Sequence, residues 1–91
     1  MKWLEIIELR VTADKWKSME SEIQTMIRDI ERNFEKHTIV AFSSSAIEGD
    51  YSIHLTHESG RLEKNGSAFG LHLVSLLKEY GMVNHSVWIE L

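Results

Sequence analysis

The hydrophobic periods of this chain follow one order: extended, helical, extended, extended, helical, extended, with few residues left outside them. Trp3–Val11 reads as a strand, Asp14–Phe34 as a long amphipathic helix, and Thr38–Ile47 with Tyr51–His57 as a hairpin. Ser67–Tyr80 then reads as a second helix and Val83–Leu91 as a last strand. Two βαβ-type halves within 91 residues predict one α+β domain, residues 1–91: a split βαβ sandwich whose antiparallel sheet carries both helices on one face. The chain itself then leaves the other sheet face uncovered.

Helix and strand patterns assign the two faces. Trp16, Met19, Ile23, Met26, Ile27, Ile30 and Phe34 form one stripe of the first helix, with charged and polar residues opposite, and Thr12 or Asp14 can cap its start. In the second helix, entered through Gly66–Ser67, the expected core stripe is Phe69, Leu73, Leu76, Leu77 and Tyr80. Leu71 and Val74 fall on the far side, and Gly81 stands where a left-handed C-terminal glycine is expected. Tyr51, Ile53 and Leu55 alternate with Ser52, His54, Thr56 and Glu58, as in a half-buried strand. Strands 1 and 2 are apolar on both sides: Leu4 and Ile6 oppose Trp3, Ile7, Leu9 and Val11, and Ile39 and Ala41 oppose Val40 and Phe42. Apolar residues on both faces call for cover on both faces. The simplest source of a second layer is a second copy of the chain.

This element order and face chemistry, over the whole chain, resemble the dimeric α+β barrel superfamily of the ferredoxin-like fold. The resemblance implies a βαββαβ sandwich with strand order 4-1-3-2, a homodimer formed through the open sheet face, and a cavity between the two sheets. It also implies cofactor-independent oxidation or isomerisation of a small ligand. In that strand order the helix-free face collects Leu4, Ile6 and Glu8 from strand 1, Ser52, His54, Thr56 and Glu58 from strand 3, and Asn84, Ser86, Trp88 and Glu90 from strand 4. His54 is the candidate proton-transfer residue, with Glu8 or Glu58 as its carboxylate partner, because a carboxylate beside an imidazole favours its charged form and fixes its tautomer. Trp88 offers a flat apolar wall with one N–H donor for a planar or aromatic ligand, and Ser52, Thr56, Asn84 and Ser86 add hydroxyl and amide groups. The competing reading is a non-catalytic regulatory or interaction domain that uses the same face for subunit or partner pairing.

Other chemistries lack their residues. The chain has no Cys, and residues three apart on a strand face opposite ways, so His54-x-x-His57 does not make a metal site; neither metal nor cofactor is expected. His72 and His85 read as packing histidines, and His37 as a cation at the end of the first helix. Ser43–Ser45 lack a nucleophile elbow. Arg61 and Lys64, in the loop before the second helix, suit either an anion at that helix start or a plain surface loop. An RNA-recognition sheet, a Cys-x-x-Cys metal carrier and an acylphosphatase anion loop each need residues that are absent. A net charge of −4 disfavours nucleic-acid binding. No stretch approaches the ~20 apolar residues of a membrane span, and no apolar signal core precedes Trp3, so the expected compartment is the cytoplasm.

Overall fold

The computed structural model describes residues 2–12, 16–33, 38–58 and 61–91. Six elements follow in the expected order: β1 (Trp3–Val11), α1 (Trp16–Asn33), β2 (Thr38–Ser43), β3 (Asp50–His57), α2 (Ala68–Leu77) and β4 (Gly81–Ile89). The strands form one antiparallel sheet in the order β2-β3-β1-β4, the ferredoxin-like arrangement. Alternate residues of each strand point to the two faces, and the odd-numbered ones form the core. Ile7, Leu9, Ile53 and Leu55 are buried against Met19 and Ile23 of α1 and Leu73 and Leu77 of α2, so both helices cover the same face. α1 packs on β2, and α2 packs on β1 and β4. Each such fully buried aliphatic contributes about 1.5–3 kcal/mol.

The hairpin strand β2 is shorter than its composition suggests, ending at Ser43 rather than Ile47. The Ser44 hydroxyl accepts from the Ala46 and Ile47 backbone N–H groups, which turns the chain out of the ladder. Gly49, at φ 89°, then returns it to β3, and its carbonyl accepts from Val11 N–H at 2.8 Å.

The second helix differs from its expected face. Gly70, Leu73, Val74 and Leu77 form its buried stripe, while His72 is exposed and Leu76 is 40% exposed. Val74 therefore belongs to the core and Leu76 and His72 do not. The reason lies at the N-terminus, where Ser67 caps the helix and is itself held to the sheet, so the rotation of α2 follows that anchor and not its own hydrophobic stripe. Gly81 is not a left-handed cap either. It opens β4, and the left-handed glycines among the described residues are Gly49 and Gly66. Its role is clearance: a Cβ there would lie 2.0 Å from the Arg10 carbonyl oxygen. The first-helix cap at Asp14, the end of the stripe at Phe34 and the cation at His37 lie outside the described residues.

Gly81→Ala is expected to lower stability by roughly 1–3 kcal/mol, because the neighbour is backbone and cannot rotate away. Urea denaturation measures this as a lower midpoint at an unchanged slope. An unshifted midpoint means that the β1–β4 contact relaxes freely.

Candidate functional site

The pairing register turns the helix-free face into a grid. One row runs Thr38, Thr56, Leu4, Trp88; the next Val40, His54, Ile6, Ser86; the third Phe42, Ser52, Glu8, Asn84; and the last Asp50, Arg10, Met82. Val40, Phe42 and Trp88 are 44, 51 and 57% exposed, and Met82 is 72% exposed. Polar and apolar groups are mixed across the face: Ser52, His54, Thr56 and Glu8 lie with Leu4 and Ile6 on the two inner strands, and Val40, Phe42, Met82 and Trp88 lie with Thr38, Asn84 and Ser86 on the outer ones.

The grid rearranges the expected partners. Glu8 lies opposite Ser52 and Asn84, not His54, whose neighbours across the ladder are Val40 and Ile6. Glu8 Oε1 accepts from the Asn84 amide at 3.3 Å, while His54 Nε2 is 3.0 Å from Ser52 Oγ on its own strand. Phe42 packs its ring 4.9 Å from the imidazole at an interplanar angle of 56°. The carboxylate–imidazole pair expected at Glu8 and His54 is therefore replaced by two separate bonds, because the register sets the two residues on a diagonal. Glu58 lies past the end of β3, exposed, roughly 13 Å of strand from His54. The Trp88 indole N–H donates to Ser86 Oγ at 2.9 Å, leaving its ring as the surface on offer.

Two hollows open at the ends of the sheet. One, of about 290 Å³, is lined by Lys2, Leu4, Thr56, Trp88 and Glu90 together with Trp3 and Ile89; the other, of about 230 Å³, lies around Glu8, Arg10, Asp50, Met82 and Asn84. Arg10 and Asp50 form a two-pronged ion pair in the second, at 3.0 and 3.2 Å. His54 lines neither hollow.

A second polar constellation lies on the opposite face, inside the core. Glu5 has no solvent exposure, and its two oxygens receive four bonds. Oε2 takes His57 Nε2 at 2.6 Å and Ser67 Oγ at 2.6 Å; Oε1 takes Ser67 N–H at 3.0 Å and His85 Nε2 at 2.9 Å. Burial pushes the Glu5 carboxyl up, but the Ser67 hydroxyl, the two histidines and the Ser67 N–H together carry it below the ordinary carboxylate value. Ser67 Oγ also accepts from Gly70 N–H as the helix cap. The anion at the α2 N-terminus is thus the protein's own side chain, and Arg61 and Lys64 remain exposed loop residues.

Two glycines make room for the carboxylate. A Cβ at Gly70 would lie 2.1 Å from Glu5 Oε1, and one at Gly66, itself at φ 101°, would lie 2.2 Å from the His85 ring. Trp3 stacks on His57 with centroids 3.9 Å apart. Every member is buried or nearly so, and Ser67 donates to the carboxylate and not to an imidazole. The cluster is built to fasten α2 to three strands. The sequence carried a signal for it: Glu5 interrupts the odd-numbered core positions of β1, and His57 and His85 share their parity. Pattern alone does not reveal that these three positions converge on a helix cap.

Comparisons of the chain with family models, with curated proteins and with solved structures found no match.

Glu5→Gln places an amide NH₂ where donors already point, and is expected to lower stability by about 3 kcal/mol at neutral pH. The folded carboxyl is held low, so its contribution is complete above the unfolded value of about 4.3 and is lost as pH falls through the folded value. The gap between wild type and Glu5→Gln, from denaturation at several pH values, should therefore close below about pH 4. A gap that is constant with pH contradicts an ionised Glu5.

Proposed function

We propose that this chain is a small-ligand-binding domain that works as a homodimer, its two helix-free faces packed together with a planar or aromatic ligand between them. The observation that carries this reading is the grid itself. Val40, Phe42 and Trp88 stand exposed on the outer strands, where Asn84 and Ser86 also lie, and Ser52, His54 and Glu8 sit with Leu4 and Ile6 on the inner ones. Such a face is too apolar to stay wet and too polar to pack dry. Strands of nine, six, eight and nine residues present about 500 Å² in projection. Side-chain relief brings that close to the ~800 Å² per partner of a stable interface.

The hollow beside Trp88 is the favoured ligand position. An aromatic ring can stack on the exposed indole, with Leu4 as floor, the Thr56 hydroxyl as a polar contact and the Lys2 ammonium suited to an acidic substituent. Binding is better supported than turnover. A proton shuttle needs a carboxylate on its imidazole, whereas His54 is bonded to Ser52 and Glu8 to Asn84.

Phe42→Asp is expected to weaken self-association by at least a hundredfold in sedimentation velocity, since it buries an unpaired charge at the margin of the proposed interface. In thermal-shift assays with aromatic acids and quinones, the wild-type melting temperature should rise with the logarithm of ligand concentration, and Trp88→Ala should lose that rise. A wild type that stays monomeric at micromolar concentration sinks the dimer. Shifts that are absent, or that survive Trp88→Ala, sink the ligand position.

A further inference from the structure

The outer edge of β4 is chemically symmetric about its middle residue. Reading outward from His85, the strand Gly81–Ile89 places Asn84 and Ser86 one step away, Val83 and Val87 two steps, Met82 and Trp88 three, and Gly81 and Ile89 four. Small polar groups match at the first step, valines at the second and large apolar groups at the third. No residue in the strand carries a fixed charge or is proline, and among the described residues no strand pairs with its outer side. Sheet edges are usually guarded by lysine, proline or a bulge. This edge has none of them over nine residues.

The backbone has the same centre of symmetry. Glu90 N–H donates inward to the Lys2 carbonyl, so in the antiparallel alternation the even-numbered residues of β4 bond to β1. The N–H and C=O groups of Gly81, Val83, His85, Val87 and Ile89 therefore point outward. A two-fold axis at His85 pairs 85 with 85, 83 with 87 and 81 with 89, so every outward group meets an outward group of the same set. Centring the pairing one residue to either side would lose the side-chain match.

We propose that β4 pairs antiparallel with β4 of a second copy about a two-fold axis at His85, joining two sheets into one of eight strands. The axis stands perpendicular to the sheet, so the helices of both copies lie on one side. Met82 packs against Trp88 of the partner on the open face, and Val83 against Val87 on the helix side. Strands pair without like charges opposed, which matters for a chain of net charge −4. α2 is the helix over β4, and its exposed Leu71 and Leu76 are available to the junction. This edge contact is separate from the face-to-face contact and does not depend on it.

The chain contains no cysteine, so introduced thiols report on one contact. Opposite residues in the non-hydrogen-bonded positions of an antiparallel pair have Cα atoms about 4.5 Å apart, within disulfide range. Asn84 of one copy and Ser86 of the other occupy such positions in the proposed pairing. Asn84→Cys and Ser86→Cys should form a covalent dimer when mixed and oxidised, and form little of it when either is oxidised alone. Both thiols also stand on the helix-free face, where stacked sheets can be bridged, so the cross-link is read in the Phe42→Asp background, which removes the face-to-face contact and should leave the edge cross-link intact. Met82→Glu, at a position 72% exposed and so tolerant in the fold, should cut the cross-link yield about tenfold by setting an unpaired carboxylate against the partner's Trp88. Equal cross-linking of single and mixed variants, none in the mixture of two folded variants, or indifference to Met82→Glu overturns the proposal.

Discussion

A buried carboxylate needs donors, and the rest of this structure is arranged around meeting that need for Glu5. Its four bonds come from β3, β4 and the cap of α2, so a single side chain on β1 ties four elements together. Without those bonds an ionised carboxylate in the core would be strongly destabilising. With them it fixes which residues of α2 can face the sheet. Ser67 and Gly70 are drawn down to Glu5, and the stripe that follows at helical spacing is Leu73, Val74 and Leu77. A helix placed only by its hydrophobic stripe would have more than one acceptable rotation. A helix placed by its cap has one.

The pleat divides each strand into two chemistries at the cost of no extra residues. Odd positions carry the core and the Glu5 cluster; even positions carry His54, Ser52, Glu8, Asn84 and the exposed apolar groups. The helices cover most of the first set, Ile89 at the end of β4 remaining half exposed, and leave the second untouched. The helix-free face and the β4 edge are thus two unfilled surfaces of one sheet, different in character. The face offers mixed polar and apolar side chains, whereas the edge offers backbone groups in a fixed two-fold pattern.

The element order and the assignment of sheet faces were legible in the sequence, because periodicity of two and of three to four residues is written directly into Trp3–Val11, Asp50–His57 and Met19–Ile30, whereas the strand order came with the resemblance to the ferredoxin-like fold. What was not legible depended on partners distant in the chain. The register that puts Glu8 beside Asn84 instead of His54 is a property of the pairing between strands, not of any one strand. Val74 and Leu76 exchanged places because the rotation of α2 is set by a carboxylate more than sixty residues away. Gly81 is small for the sake of the Arg10 carbonyl, and no local rule for helix ends could have said so. Glu5 itself was visible only as a break in an apolar pattern.

The register of β1 with β4 pairs Trp3 with Ile89, so the first and last strands of the chain are ladder neighbours. Closing that ladder encloses nearly the whole polypeptide in one loop, and such closure is entropically unfavourable before any contact offsets it. Pairings this distant in sequence raise the contact order of the fold, and chains rich in them fold more slowly than chains built from local contacts. His85 belongs to that strand, so the full set of Glu5 donors exists only once the β1–β4 ladder is closed. Until then the carboxylate has every reason to stay in water, and β1 cannot settle into a dry core ahead of its partner.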